Sequence, residues 1–257
     1  MNHAAEIIAH RGASYDAPEN TMESFELGLA QGADAIECDV HLTQDGQLVV
    51  IHDPTVQRTA GVNKAVKDMT LAELQALDAG SWKSPDWRDA RIPALAEVLD
   101  LLPTDRRIFI EIKAGPPAVA PLQKVIAASA LQPSQMVLME FDLETVIAMK
   151  ENFPAIEVLW LNKLPRLQVP WRKKRALHQI LSTTRQRGLN GVNLQNTPLL
   201  NAALIRACRE HGLGCYCWTV DDPRRAAALA KNGINGIATN RPGWMRKQLN
   251  ATGAPRS

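Results

Sequence analysis

A closed (β/α)₈ barrel of the TIM type is the fold class this sequence predicts, for three reasons. Eight short runs rich in Ile, Val and Leu alternate with helical patterns, which is the βαβα order of a parallel sheet. The chain has 257 residues, about the length of one such barrel. Its composition, 46% hydrophobic and 22% charged, supports a sizeable core in a single domain spanning residues 1–257.

The eight strand-like runs lie at 7–10, 35–41, 107–113, 136–141, 156–161, 191–195, 214–220 and 236–239. After the first, Asn20 precedes Thr21-Met22-Glu23. This predicts an N-cap oxygen at Asn20, an N3 carboxylate at Glu23 and a helix over 21–31 stopped by Gly32. Thr70-Leu71-Ala72-Glu73 repeats the device, and Pro93 sits in the first turn of a helix running to Leu102. The stretch 54–106 is too long for a βα connection and carries its own helical patterns with Trp82 and Trp87, so it reads as a small helical insertion.

A ninth run, 47–52, is separated from the second strand only by Asp45-Gly46, the signature of a hairpin. In a two-residue loop, paired residue numbers sum to 91, which sets Thr43 opposite Leu48 and Asp39 opposite His52. Because i and i+2 share a face, Glu37, Asp39 and His52 would then point the same way.

Catalytic groups of a closed barrel lie at the C-terminal strand ends, where His10, Glu37, Asp39 and Glu111 all fall. Three carboxylates from two neighbouring strands can form an oxygen cage. Such a cage suits one divalent cation, Mg²⁺ or Ca²⁺ with Mn²⁺ also admissible, over Zn²⁺. Ordinary ion pairs at the rim are the plainer reading of the acids alone. Formal charge favours the cage: three acids give −3, one divalent ion −1, and Arg11 with Lys113 +1, so an anion is welcome only with metal. Arg11 offers a bidentate clamp for phosphate oxygens and Lys113 a point charge. His10 and His52 supply an acid and a base titrating near neutrality. His3, His41, His178 and His211 lack such company and read as structural.

The balance of 29 Lys and Arg against 27 Asp and Glu gives +2, which argues against nucleic acid as partner. A strand-like run starts almost at the first residue, and no apolar stretch approaches a membrane span, so a cytoplasmic protein without a secretory signal or stable membrane anchor is expected. Cys38, Cys208, Cys215 and Cys217 lack zinc-site spacing and read as buried free thiols. Arg166, Arg172, Lys173, Lys174 and Arg175, with Trp171 and Leu177 interleaved, read as a solvated basic helix face ahead of a lipid-binding one.

Five ordered motifs, His10-Arg11-Gly12, Pro18-Glu19-Asn20-Thr21, Glu37-x-Asp39-Val40, Thr43-x-Asp45-Gly46 and His52-Asp53, resemble the glycerophosphodiester phosphodiesterases. Arg91-Ile92-Pro93, Glu111-Ile112-Lys113, Trp218-Thr219-Val220 and Thr239-Asn240-Arg241-Pro242 extend the likeness over nearly the whole chain. The resemblance implies metal-dependent hydrolysis of a small-molecule glycerophosphodiester to glycerol 3-phosphate and an alcohol. It makes His10 and His52 the acid–base pair, Glu37, Asp39 and Glu111 the metal ligands, and Arg11 and Lys113 the phosphate contacts. It adds Glu19 at the same site and Trp218 against the glycerol or headgroup. The family usually has Ser-Phe where this chain has Glu140-Phe141, and commonly Asp at Asn240. A lysophospholipase D-like enzyme would need an apolar groove near the insertion, and a barrel that binds phosphodiesters without cleaving them would not need two histidines. A glycosidase using Glu37 and Glu111 leaves Arg11 and Lys113 unexplained.

Overall fold

The computed structural model describes residues 5–164 and 170–251, with backbone alone at 170, 171 and 173. His3, Arg166 and the side chains of Trp171 and Lys173 lie outside the described residues. Eight parallel strands close on themselves: β1 (Glu6–His10), β2 (Ala35–Leu42), β4 (Arg107–Ile112), β5 (Met136–Glu140), β6 (Glu157–Asn162), β7 (Gly191–Gln195), β8 (Gly214–Trp218) and β9 (Gly236–Thr239). β1 pairs with both β2 and β9, which removes every open edge from the barrel. Between β2 and β4 in sequence, β3 (Leu48–Val50) lies antiparallel on β2.

The pleat divides each strand between two environments. Ile8, Ala35, Phe109, Val137, Leu159, Tyr216 and Ala238 point inward and pack together in the barrel. Phe109 and Tyr216 meet edge to face at 5.4 Å, and the Tyr216 hydroxyl donates to Glu157 at 3.0 Å. Tyr216 can fill this space because Gly236 beside it has no side chain; a Cβ there would fall 2.8 Å from the ring. Outward residues such as Ile36, Cys38, Val40, Ile108 and Ile110 pack beneath the helices. Cys215 and Cys217 face outward on either side of inward Tyr216, and the four cysteines are buried and free.

The outer ring comprises α1 (Met22–Ala30), α4 (Leu95–Leu101), α5 (Val119–Ala128), α6 (Leu143–Asn152), α7 (Pro170–Gln186), α8 (Ala202–Glu210), α9 (Pro223–Lys231) and α10 (Pro242–Ala251). Along α7 the cations Arg172, Lys174 and Arg175 are exposed while Leu177 packs inward. No described helix is long and apolar enough to cross a membrane. Between β3 and α4 lie α2 (Gln57–Ala60), α3 (Leu71–Gln75) and two short 3₁₀ turns. Val56, Val66, Met69, Leu74 and Ile92 of this stretch build a satellite core on Val49 and Ile51.

Three sequence expectations need correction. The cap of α1 is Thr21, paired reciprocally with Ser24, one residue later than Asn20 and Glu23. Asn20 instead adopts φ +58°, a left-handed conformation Asn tolerates better than most side chains, and turns its amide toward the site. Helix α4 starts at Leu95 with Ala94 as cap, because the Pro93 carbonyl still accepts from Val50 and keeps the chain extended. Finally, the hairpin closes through three residues. Thr43 donates to the Gln47 carbonyl, Gly46 is left-handed at φ +75°, and paired numbers sum to 90, as in Val40 with Val50. Asp39 therefore faces Ile51, whose N–H donates to the Asp39 carbonyl.

Gly12 is demanded by two constraints at once. Its φ is +79°, and a Cβ would fall 2.5 Å from backbone atoms of Ser24 in the first turn of α1. Gly46 has only the first constraint, with nothing within 4 Å. Gly12→Ala is expected to cost about 3 kcal/mol or more and to lower the melting temperature by roughly 6 °C or more. Gly46→Ala should cost only about 1–2 kcal/mol. Thermal unfolding of both variants by circular dichroism checks the order, and equal melting temperatures would refute it.

Candidate active site

The same alternation that fills the barrel with apolar side chains places acids at its upper end. On β2 the inward residues are Ala35, Glu37 and Asp39, and on β4 they are Phe109 and Glu111. Register sets His10 beside Glu37 and Asp39 beside Glu111. One carboxylate oxygen from each of Glu37, Asp39 and Glu111 lies within 4.8 Å of the others, and all three residues are buried. The expected cage is thus assembled.

Asp39 is the most enclosed member, 1% exposed. Asn20 Nδ2 donates to its Oδ2 at 2.9 Å, Arg11 Nε lies 3.1 Å from the same oxygen, and Lys113 Nζ lies 3.3 Å from Oδ1. Burial works against its charge, but Arg11 and Lys113 overcome that and hold it at about 2. Its neighbours behave oppositely. Burial, then the Asp39 charge, raise Glu111 to about 7, and burial with Asp39 and Glu111 pushes Glu37 well above the usual carboxylate range. Lys113 Nζ lies 2.5 Å from Glu111 Oε1, and its proximity offsets the shift only partly.

The turn after β1 serves this cage with its backbone. Arg11 takes φ +57°, uncommon outside glycine, which aims its N–H at Glu37 Oε2 at 2.9 Å. Its guanidinium reaches Glu19 Oε1 at 2.9 Å as well as Asp39. Glu19 in turn accepts from both terminal nitrogens of Arg58, and Arg58 Nε donates to Asp53 Oδ2 at 2.6 Å. Asp53 Oδ1 sits 2.6 Å from His52 Nδ1. The hydrogen bonds from Arg58 outweigh burial and hold Asp53 at about 2. An alternating chain of charges, Arg11, Glu19, Arg58, Asp53, thus spans from one histidine loop to the other.

Both histidines line one cavity of about 260 Å³, partly open to solvent, together with Arg11, Glu37, Glu111 and Lys113. Pleating alone would have turned His52 toward the face of Cys38, given the observed register. The strand ends at Val50 and the chain bends at His52, which brings the ring back to the cavity. His10 Nδ1 lies 2.8 Å from Asn240 Oδ1. Burial, then the adjacent Arg11 charge, depress His10 to about 4. His41 Nε2 lies 3.1 Å from the His52 carbonyl.

The opposite wall of the cavity is apolar and aromatic, with Met139, Phe141, Leu161 and Trp218. Phe141 and Trp218 pack edge to face at 5.7 Å, and the enclosed Trp218 indole N–H has no protein partner among the described residues. Lys163 stands at the mouth over the Phe141 ring. Glu140 does not line the cavity; it accepts from the N–H groups of Phe141 and Asp142, and its charge helps to raise Glu111. Sequence reasoning missed two contributors. Asn20 was legible as an amide beside a buried acid only once its left-handed conformation was known. Arg58 lies in the four-residue helix α2, too short to leave a periodic pattern that would mark it.

Comparison with known proteins agrees with this arrangement. Residues 10–244 match the model of the glycerophosphoryl diester phosphodiesterase family. A glycerophosphodiester phosphodiesterase of Caldanaerobacter subterraneus subsp. tengcongensis is 34% identical over 241 residues, covering 92% of this chain and 94% of that protein. One from Bacillus subtilis is 30% identical over 259 residues, covering 93% and 85%. The solved glycerophosphodiester phosphodiesterase of Agrobacterium tumefaciens superposes with a TM-score of 0.76 at 26% identity, covering 95% of this chain and 99% of that one. A phosphodiesterase of Oleispira antarctica, solved with its product sn-glycerol-3-phosphate, shares the fold with a TM-score of 0.84 at 24% identity, covering 96% and 97%. The closed barrel, its rim of buried acids and these matches along nearly the whole chain show that the protein belongs to the glycerophosphoryl diester phosphodiesterase family of enzymes.

Proposed function

We propose that the chain, acting as a single barrel domain with its 54–106 insertion, hydrolyses small glycerophosphodiesters in the cytoplasm to glycerol 3-phosphate and an alcohol. The observation that carries this reading is the shared cavity. Two imidazoles, each held at Nδ1 by a different partner, face one space also lined by Arg11 and Lys113. The product complex of the Oleispira antarctica phosphodiesterase supports a small-molecule ligand in a barrel of this shape.

Glu37, Asp39 and Glu111 fit a divalent cation. Their oxygens converge within 4.8 Å, and the raised Glu37 and Glu111 show how poorly three such charges tolerate one another without positive charge between them. Oxygen donors favour Mg²⁺, Ca²⁺ or Mn²⁺. When bound, the ion supplies positive charge beside the phosphate oxygens. Arg11 and Lys113 orient the diester through its non-bridging oxygens. One histidine takes the proton of the attacking water, or of a neighbouring substrate hydroxyl, as the new P–O bond forms. The other donates a proton to the departing oxygen as the old P–O bond breaks. Trp218 packs against the glycerol or headgroup, and Glu19 holds Arg11 in place.

Turnover of a panel including glycerophosphocholine and lysophosphatidylcholine, with and without chelator, tests the reading. Release of glycerol 3-phosphate from the former is expected to fall by about 100-fold or more without metal. Undiminished turnover after complete metal removal would sink the cage. Because Glu111 loses its proton near 7 in the metal-free state, metal binding should release protons and tighten as pH rises through that range. Calorimetry in buffers of different ionisation enthalpy reads both effects. His52→Ala should lower kcat by about 10²- to 10⁴-fold with little change in KM. Glu37→Ala should weaken metal dependence and substrate binding together, and steady-state kinetics across metal concentrations separates the two patterns.

A further inference from the structure

His10 is the only one of the two cavity histidines whose Nδ1 partner is uncharged, and that partner is itself gripped by a carboxylate the reaction has no other use for. Asp221 follows β8 and lies beneath the end of β9. Three donors converge on it: Thr239 Oγ1 at 2.7 Å and Asn240 N at 2.8 Å to Oδ1, and Asn240 Nδ2 at 2.6 Å to Oδ2. An ionised carboxylate only accepts hydrogen bonds, so the Asn240 atom facing it must be the NH₂ group. Turning the amide over would press its carbonyl oxygen against the carboxylate with no proton between them.

With its NH₂ committed to Asp221, Asn240 can show only Oδ1 to its other side, where His10 Nδ1 waits at 2.8 Å. A carbonyl oxygen cannot donate, so that nitrogen must carry a proton. The other ring nitrogen, Nε2, is left toward the cavity that His10 lines. We propose that Asp221 is a positioning residue which, through the Asn240 amide, fixes the His10 tautomer with the proton on Nδ1 and confines proton transfer to Nε2. This rests on the reading of His10 as a proton-transfer group.

Ser14 reinforces the arrangement from the β1 side. Its hydroxyl lies 2.7 Å from the His10 carbonyl and 3.0 Å from Asn240 Oδ1, so it ties the backbone of His10 to the same amide. His52 is held differently, by the ionised Asp53 directly on Nδ1. A charged carboxylate one bond away orients an imidazole and also stabilises its cation. At His10 the carboxylate is moved one amide further off. Orientation is kept while the direct stabilisation of an imidazolium is given up.

The consequence of removing the carboxylate charge follows from donor counting. In Asp221→Asn the new amide presents its own NH₂ toward Asn240, whose carbonyl then turns to meet it. The Asn240 NH₂ is thereby aimed at His10 Nδ1, which must become an acceptor, and the proton moves to Nε2. In Asn240→Asp two carboxylates face each other across 2.6 Å, which no ionised pair tolerates. Combining both changes restores a donor at 221 and leaves an acceptor at 240 toward His10.

The test uses the full chain and two independent readouts. Long-range ¹⁵N–¹H spectra of the imidazoles in metal-free protein should show His10 protonated at Nδ1 in the wild type and shifted toward Nε2 in Asp221→Asn. In steady-state turnover of glycerophosphocholine, Asp221→Asn should lose about 10- to 100-fold in kcat, with KM within about twofold of wild type. Asn240→Asp should lose at least as much, and Asp221→Asn/Asn240→Asp should recover most of the loss. A His10 proton on Nε2 in the wild type would overturn the proposal. So would wild-type kcat in folded Asp221→Asn, or a double variant no better than either single one. Should Asp221→Asn fail to fold by circular dichroism, the wild-type tautomer and the double variant still decide. A wild type that turns over no diester would refute the functional reading alone, since the tautomer spectrum would remain decisive for the relay.

Discussion

Asp39 carries a charge with no access to water, and most of the site exists to make that tolerable. A buried carboxylate costs several kcal/mol unless it is paired and hydrogen-bonded. Asn20 abandons a capping role to donate to it, Arg11 leans across the barrel mouth toward it, and Lys113 is drawn from the end of β4. These three commitments fix the loop after β1, the start of α1 and the top of β4 around one point. Glu37 and Glu111 then sit beside a charge already compensated, and the resulting field raises them in turn. The clustering of acids that would suit a cation is therefore tied to how one acid is buried.

The insertion is joined to this centre through Arg58. Its guanidinium bridges Glu19 of the β1 loop and Asp53 beyond the hairpin, segments otherwise held by separate parts of the barrel. A planar fork meeting two carboxylates is the geometry for which arginine is suited and lysine is not. The satellite core on Val49 and Ile51 seats the insertion firmly enough for that fork to act as a strut. Two loops that each carry a histidine are thus braced against one another by a residue from neither.

The parts of the fold with strong periodicity were legible in the sequence: the eight barrel strands, the alternation that buries Glu37 and Asp39, and the Thr70–Glu73 cap. What escaped depended on backbone conformations that composition does not encode. Asp45-Gly46 suits either a two-residue or a three-residue loop, and the choice shifts the register by one. Thr43 decided it, since its hydroxyl both accepts from Gln47 and donates to Asp45. His52 still arrives, because the strand stops short and the pleat no longer governs its direction. The displaced cap at Thr21 has a similar origin: Asn20 and Thr21 are both good cap residues, and only the tertiary demand of Asp39 separates them. The carboxylate cage survived these local errors because it rests on β2 and β4 alone.

Closure of the barrel joins the two ends of the chain at His10. His10 belongs to the first strand, yet its ring leans on Asn240, 230 residues later, and that amide is held by Asp221 beyond the eighth. During synthesis the whole acidic cage and both histidines leave the ribosome in the first half of the chain. The partner that orients His10 comes almost last. A growing polypeptide therefore holds the acids and both histidines of the rim long before the residue His10 leans on, and that contact waits for the final strand to dock beside the first.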